Sequence, residues 1–213
     1  MKLALSLVLL LTSLLVMEGC GESNALNFSS REECHTLDKQ KYKDKAKEAK
    51  LFCTKKKYND QFFILIDLSI HSGAKRFFVW DFNKEEIIDS YLVSHGCCDY
   101  PWGGDSTKSD AITSNTSGSH CSSLGKYVLG ERGYSNWGIN VKYLMHGLEA
   151  SNKNALSRQI VFHGWDRVTD SPVCPRGTVE GWGCPAISNT AMEQMDQKIK
   201  GSKNRKILMW MIK

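Results

Sequence analysis

The chain has 213 residues, a formal charge of +5 and eight cysteines. That length suits one domain with a sizeable core and excludes a second large one. The positive charge is concentrated in residues 31–60, which hold ten Lys/Arg against six Asp/Glu; with no nucleic-acid-binding motif anywhere, it reads as a solvated helix face or a contact for anionic headgroups or wall polymers.

The first residues have a secretory look. Lys2 is followed by an apolar run from Leu3 to Met17, shorter than the roughly 20 residues of a membrane span and the size of a signal h-region. It ends at Met17-Glu18-Gly19-Cys20. A small residue before a cysteine at that point resembles a bacterial lipoprotein cleavage site, with Cys20 as the lipid-bearing first residue. Ordinary signal cleavage is the alternative, and either predicts export, to the periplasm or cell envelope. The expected organisation is a signal peptide over 1–19, a tether and basic helix over 20–60, and a catalytic domain over 61–213. Eight cysteines in an exported chain suggest disulfides. With Cys20 lipidated and Cys184 kept free, six remain: Cys34, Cys53, Cys97, Cys98, Cys121 and Cys174. Cys97 and Cys98 are adjacent and so are expected to bond elsewhere, while Cys34 and Cys53 could pair with each other or tie the basic helix to the main domain.

After a polar tether, Glu32 to Phe52 is rich in helix formers and carries a weak apolar stripe, which predicts a helix. Phe62 to Leu68, Arg76 to Asp81 and Ile87 to Ser94 read as a meander of antiparallel strands with turns at Ser72–Lys75 and Asn83–Glu85. Gly96 to Ser123 is poor in apolar residues and predicts a long loop that covers or builds a site. Short strands follow at Lys126–Leu129, Asn140–Met145 and Gln159–Phe162, with a helical turn over Ser151–Arg158. Ser188 or Asn189 can cap a helix that runs to about Lys200 and stops at Gly201, before a final strand from Lys206 to Ile212. The fold class is mainly β.

Two segments carry chemistry: Ile160-Val161-Phe162-His163-Gly164 and Gly181-Trp182-Gly183-Cys184-Pro185-Ala186. A thiol becomes a useful nucleophile at neutral pH when an imidazole takes its proton. Cys184 as nucleophile and His163 as base, 184 − 163 = 21 residues apart, fit that requirement. The amides of Gly183 and Cys184 can face one point and form an oxyanion hole. A disulfide-bonded or buried Cys184, and a core His163, are the structural alternatives. Zinc held by His163, Cys174 and Cys184 is disfavoured because no C-x-x-C or H-x-x-x-H spacing is present.

Further matches come in order: Val93-Ser94-His95-Gly96, Ser114-Asn115, Gly118 to Gly125, Gly147-Leu148-Glu149, Asn154, Ala155 and Arg158, then the two segments above. From about Gln61 onward the chain resembles the murein L,D-transpeptidase catalytic domain (YkuD-like) family, in its W-G-C-P-A branch. The resemblance implies a β-sandwich or barrel with an N-terminal helix and a helix near the C-terminus. It implies a cysteine L,D-transpeptidase, or L,D-carboxypeptidase, acting on peptidoglycan stem peptides through an acyl-thioenzyme, with no metal or organic cofactor. The imidazole would be oriented by a backbone carbonyl. His95, His120, Ser122, Ser123, Arg158 and Trp182 match family positions, where the implied jobs are holding loops and the substrate peptide. Arg158 suits a stem-peptide carboxylate, although an arginine just before a strand is as often structural. The chain departs from the family in carrying Glu180-Gly181 where Arg-Ser is usual; a negative residue there is expected to disfavour thiolate. The competing reading is a non-catalytic, disulfide-stabilised envelope protein that binds peptidoglycan.

Overall fold

A computed structural model describes residues 38–213; the signal-like run, Cys20 and Cys34 lie outside the described residues. Helix α1 (Lys39–Lys56) starts where the Asp38 carboxylate accepts from the Lys41 amide and ends on Lys57 in the left-handed region. Its buried stripe is Tyr42, Ala46, Ala49 and Cys53, spaced as one helix face. The two alanines let the helix lie close against a sheet. Tyr42 also donates to the buried Asp67 carboxylate at 2.9 Å, so the basic helix is packed into the fold on one side and solvated on the other.

The strands are β1 (Phe62–Asp67), β2 (Phe77–Asp81), β3 (Glu86–Tyr91), β4 (Gly125–Tyr134), β5 (Val141–Gly147), β6 (Val161–Gly164), β7 (Ala186–Ile187) and β8 (Leu208–Ile212). A second helix, α2 (Asn189–Gly201), precedes β8, and Ser188 caps it by accepting from the Ala191 amide. All eight strands form one sheet in the order β3-β2-β1-β8-β4-β5-β6-β7. The expected meander holds for β1 to β3. The surprise is β8, which enters the middle of the sheet, parallel to β1 and antiparallel to β4.

Alternation along β1 separates two cores. Phe62, Ile64 and Ile66 join α2 residues Met192, Met195 and Ile199 in the larger core, whereas Phe63 and Leu65 pack with Trp210 under α1. The sheet curls around the larger core. β2 and β6 lie five places apart, about 24 Å in a flat sheet, yet the rings of Phe77 and Phe162 stack at 5.6 Å. The cylinder is closed where the chain after β3 meets β7: the Ser94 amide donates to the Ala186 carbonyl at 2.8 Å, and Gly96 bridges Gly181. Residues 151–158 form successive turns and no helix.

The disulfides differ from the expectation. Cys98 bonds Cys121 and Cys174 is disulfide-bonded, but Cys53 and Cys97 are free and buried. Cys53 faces the core from α1 as a free thiol, so the expected disulfide at Cys53 is absent. Among the described residues no helix is long and apolar enough to cross a membrane.

Candidate active site

His163 is the third residue of β6, placed by pairing with Lys142 on β5 and Ala186 on β7. Its Nδ1 lies 2.8 Å from the Gly164 carbonyl. A carbonyl only accepts, so Nδ1 carries the proton and Nε2 of the neutral ring is bare. The imidazole therefore presents a basic nitrogen, oriented by a backbone oxygen. Burial lowers its pKa below the ordinary histidine value, the Gly164 carbonyl opposes that, and the Lys142 charge adds to it.

Cys184 is a free, half-buried thiol in the turn before β7. Its Sγ accepts from the Val161 amide at 3.4 Å and lies 3.8 Å from the Gln159 carbonyl. Burial raises the thiol pKa, while the Val161 amide and the charges of Arg158 and Lys142 pull it down. Thiol and imidazole are not hydrogen-bonded to each other at rest, yet both line the same two cavities.

The turn that carries the thiol is fixed from both sides. The Gly181 amide donates to the His95 carbonyl and the Cys97 amide donates back to the Gly181 carbonyl, at 2.8 and 2.7 Å. Ser122 accepts from the Gly96 amide and donates to the Gly183 carbonyl, both at 3.1 Å. Ser94 donates to the Cys184 carbonyl at 3.3 Å and accepts from the Ala186 amide at 3.1 Å. The Cys98–Cys121 disulfide joins the two supporting segments, and closing a loop of that length is worth about 3 kcal/mol. The amides of Gly183 and Cys184, the expected oxyanion donors, have no acceptor among the described residues.

Gly183 has φ +97°, and a Cβ there would meet the Cys121 carbonyl oxygen at 2.5 Å. Gly183→Ala therefore forces the turn outward. A displacement of about 1 Å at a nucleophile costs roughly a hundredfold. The expected result is an acylation rate at least about a hundredfold below the parent, and a rate near the parent would show that the turn tolerates the shift.

Of the other residues expected at the site, several hold loops. Arg158 spends its guanidinium on Ser114 O, Ser123 Oγ, Ser119 Oγ and Cys121 O. Ser123 Oγ in turn donates to Ser114 O. His95 is fully buried with both ring nitrogens engaged, so it has no atom to offer a substrate peptide. Arg76 donates to its Nδ1 at 2.8 Å, and its Nε2 therefore donates to Thr107 Oγ1 at 2.8 Å. Thr107 donates from both its hydroxyl and its amide to Glu180. This corrects the expected effect of Glu180 on the nucleophile. Its carboxylate turns into the protein toward Thr107, with Oε2 left without a partner, and it is not among the charges acting on Cys184. His120, with φ +54°, stacks its ring on Trp182 at 5.4 Å.

Four tryptophans converge where sequence reading singled out one. Trp102, Trp137, Trp165 and Trp182 wall a 90 Å³ cavity that reaches Cys184 and His163. Trp102 contacts the other three rings at 5.4–6.1 Å. A second cavity of 430 Å³ shares Trp137, His163, Trp182 and Cys184 with the first and also contains Lys142. The chain's high tryptophan count, six in all, was the available signal for the first; nothing in the sequence pointed to Lys142.

The sequence matches the model of the L,D-transpeptidase catalytic domain family over residues 19–208. No curated protein matches the chain. Among solved structures, it is similar to the helical cell shape determining protein Pgp2 from Campylobacter jejuni, at 14% identity and a TM-score of 0.44. The K307A mutant of that protein matches at 13% identity with a TM-score of 0.45. The matches cover 72% of this chain and 48–49% of those, so the chain spans about half the length of the structures it matches.

Proposed function

The chain belongs to the L,D-transpeptidase catalytic domain family, and from that premise we propose that it performs cysteine-dependent acyl transfer on peptidoglycan stem peptides in the cell envelope. Cys184 attacks the carbonyl between a diamino acid and the D-alanine that follows it. His163 Nε2 takes the thiol proton and delivers it to the departing amine. The Gly183 and Cys184 amides stabilise the oxyanion. An acceptor amine, giving transpeptidation, or water, giving carboxypeptidation, then resolves the thioester. Export through the N-terminal run, with or without a lipid on Cys20, belongs to the same proposal.

The observation that carries this reading is the shared cavity holding a free thiol and an imidazole whose unprotonated nitrogen is Nε2. Incubation with a tetrapeptide-bearing muropeptide, followed by chromatography, tests it. Released D-alanine is expected, with dimer if an amine resolves the thioester; intact substrate refutes it. One observation favours the binding-protein alternative: at rest the thiol bonds to Val161 and not to His163.

That resting state also sets a pH dependence. A lowered imidazole pKa moves the acid limb of kcat/KM below the ordinary histidine value. A raised thiol pKa moves the alkaline limb above the ordinary cysteine value. Acylation rates measured from about pH 5 to 10 should therefore form a broad plateau. An alkaline limb below the ordinary cysteine value would mean that a thiolate–imidazolium pair exists before substrate arrives.

A further inference from the structure

The two cavities that meet at Cys184 differ in chemistry. The smaller, at 90 Å³, is walled mainly by indoles and carries no charged side chain. It is smaller than the roughly 150 Å³ that accepts a benzene ring, so it suits a small uncharged group. The larger, at 430 Å³, is lined by Lys142, Arg158, Gln159 and Asn136 among others, with no acidic residue.

Lys142 stands directly opposite His163 in the β5–β6 register, which puts both side chains on one face of the sheet. It is half-buried. Among the described residues its ammonium has no hydrogen bond or ion pair. By contrast Lys41, Lys126, Lys198 and Lys213 each reach a carboxylate. Arg158, the other cation of this cavity, is committed to the loop over 114–121. A partly desolvated ammonium without a counter-charge, beside the nucleophile, attracts an anion.

Resting on the reading above, we infer that Lys142 anchors a carboxylate of the substrate in the larger cavity, while the tryptophan-walled cavity takes a small uncharged group across the scissile bond. Two carboxylates of a stem peptide sit on the residues that flank the scissile bond: that of the terminal residue and that on the side branch of the diamino acid. A specificity role of this kind appears as a binding preference, whereas a purely electrostatic effect on the thiol does not.

The test is calorimetric titration of the full chain carrying Cys184→Ala, which cannot turn substrate over. The ligands are a tetrapeptide with both carboxylates free, its terminal amide, and the amide at the diamino acid branch. One of the two amides should bind about ten- to a hundredfold more weakly than the free peptide, consistent with loss of a charge-assisted bond. Adding Lys142→Met should bring the free peptide down to that amide's affinity and erase the difference; Lys142→Arg should restore most of it. The inference is overturned if Lys142→Met weakens all three ligands equally, leaves the difference intact, or if no peptide binds. A Lys142-dependent preference in a protein that releases no D-alanine would keep the anchor and refute acyl transfer. Turnover without such a preference would do the reverse.

Discussion

Cys184→Ala should leave no covalent adduct with a carbapenem-type acylating agent and lower turnover by at least about 10⁴-fold, the scale seen when a covalent nucleophile is removed. The fold should survive. Sγ makes one weak contact with the Val161 amide and another with the Gln159 carbonyl, and the turn is held by Ser94 and Ser122 through backbone carbonyls that alanine retains. The thermal midpoint should move by no more than about 4 °C. Intact-mass spectrometry gives the decisive reading. The parent should gain one acyl group per chain and the variant none. An unchanged adduct in the variant would place the reactive group elsewhere, since Cys53 and Cys97 are also free thiols.

The largest stability effect is expected at Arg76. Its side chain is fully buried, and burial pulls its pKa down to about 9, with Asp67 and Glu180 opposing that. It therefore stays charged at neutral pH. It has no carboxylate in direct contact. Its bonds go to Ile70 O, Val93 O and His95, and its charge is met at a distance by Asp67 and by Glu180, the latter across His95 and Thr107. Arg76→Met removes one end of this chain: the buried Glu180 carboxylate keeps its Thr107 bonds but loses its facing cation, and Ile70 O, Val93 O and His95 Nδ1 lose their donor. Breaking a buried charge arrangement from one side costs about 3–5 kcal/mol, or at least about 6 °C for a chain this long. If the two ends are coupled, Arg76→Met with Glu180→Gln should cost less than the sum of the single changes by about 1 kcal/mol. Urea unfolding of the four proteins measures this, and additivity within about 0.5 kcal/mol would mean that Glu180 and Arg76 act independently.

These expectations mark where sequence reading succeeds and where it stops. Strand β1 was readable because Phe62 to Leu68 is apolar and β-branched, and α2 because Ser188 supplies a cap. Both signals are local. The position of β8 depends on pairing with segments far away in the chain, so Leu208–Ile212 could be recognised as a strand but not as the middle of a sheet. The two-residue β7 is too short to leave a periodic signal. At the candidate site, ordered motifs around Cys184 and His163 single them out in the sequence, and the structure brings both to one cavity. Glu180 was visible as a departure, yet its direction was not: whether a carboxylate faces the thiol or turns inward is decided by Thr107, 73 residues away. Lys142 carries no motif of its own; only the pairing of β5 with β6 sets it opposite His163.

The insertion of β8 between β1 and β4 has a consequence for the nascent chain. Ser94 and His95 follow β3 at one end of the sheet order, and His163 and Cys184 lie on or beside β6 and β7 at the other; β8 joins the two halves in the middle. A ribosome-bound fragment that has already emitted His163 and Cys184, which share one half of the sheet, still lacks the strand that joins that half to the one leading into Ser94 and His95, whose bonds hold the cysteine turn. The cysteine turn therefore gains its full support only once the last strand is in place.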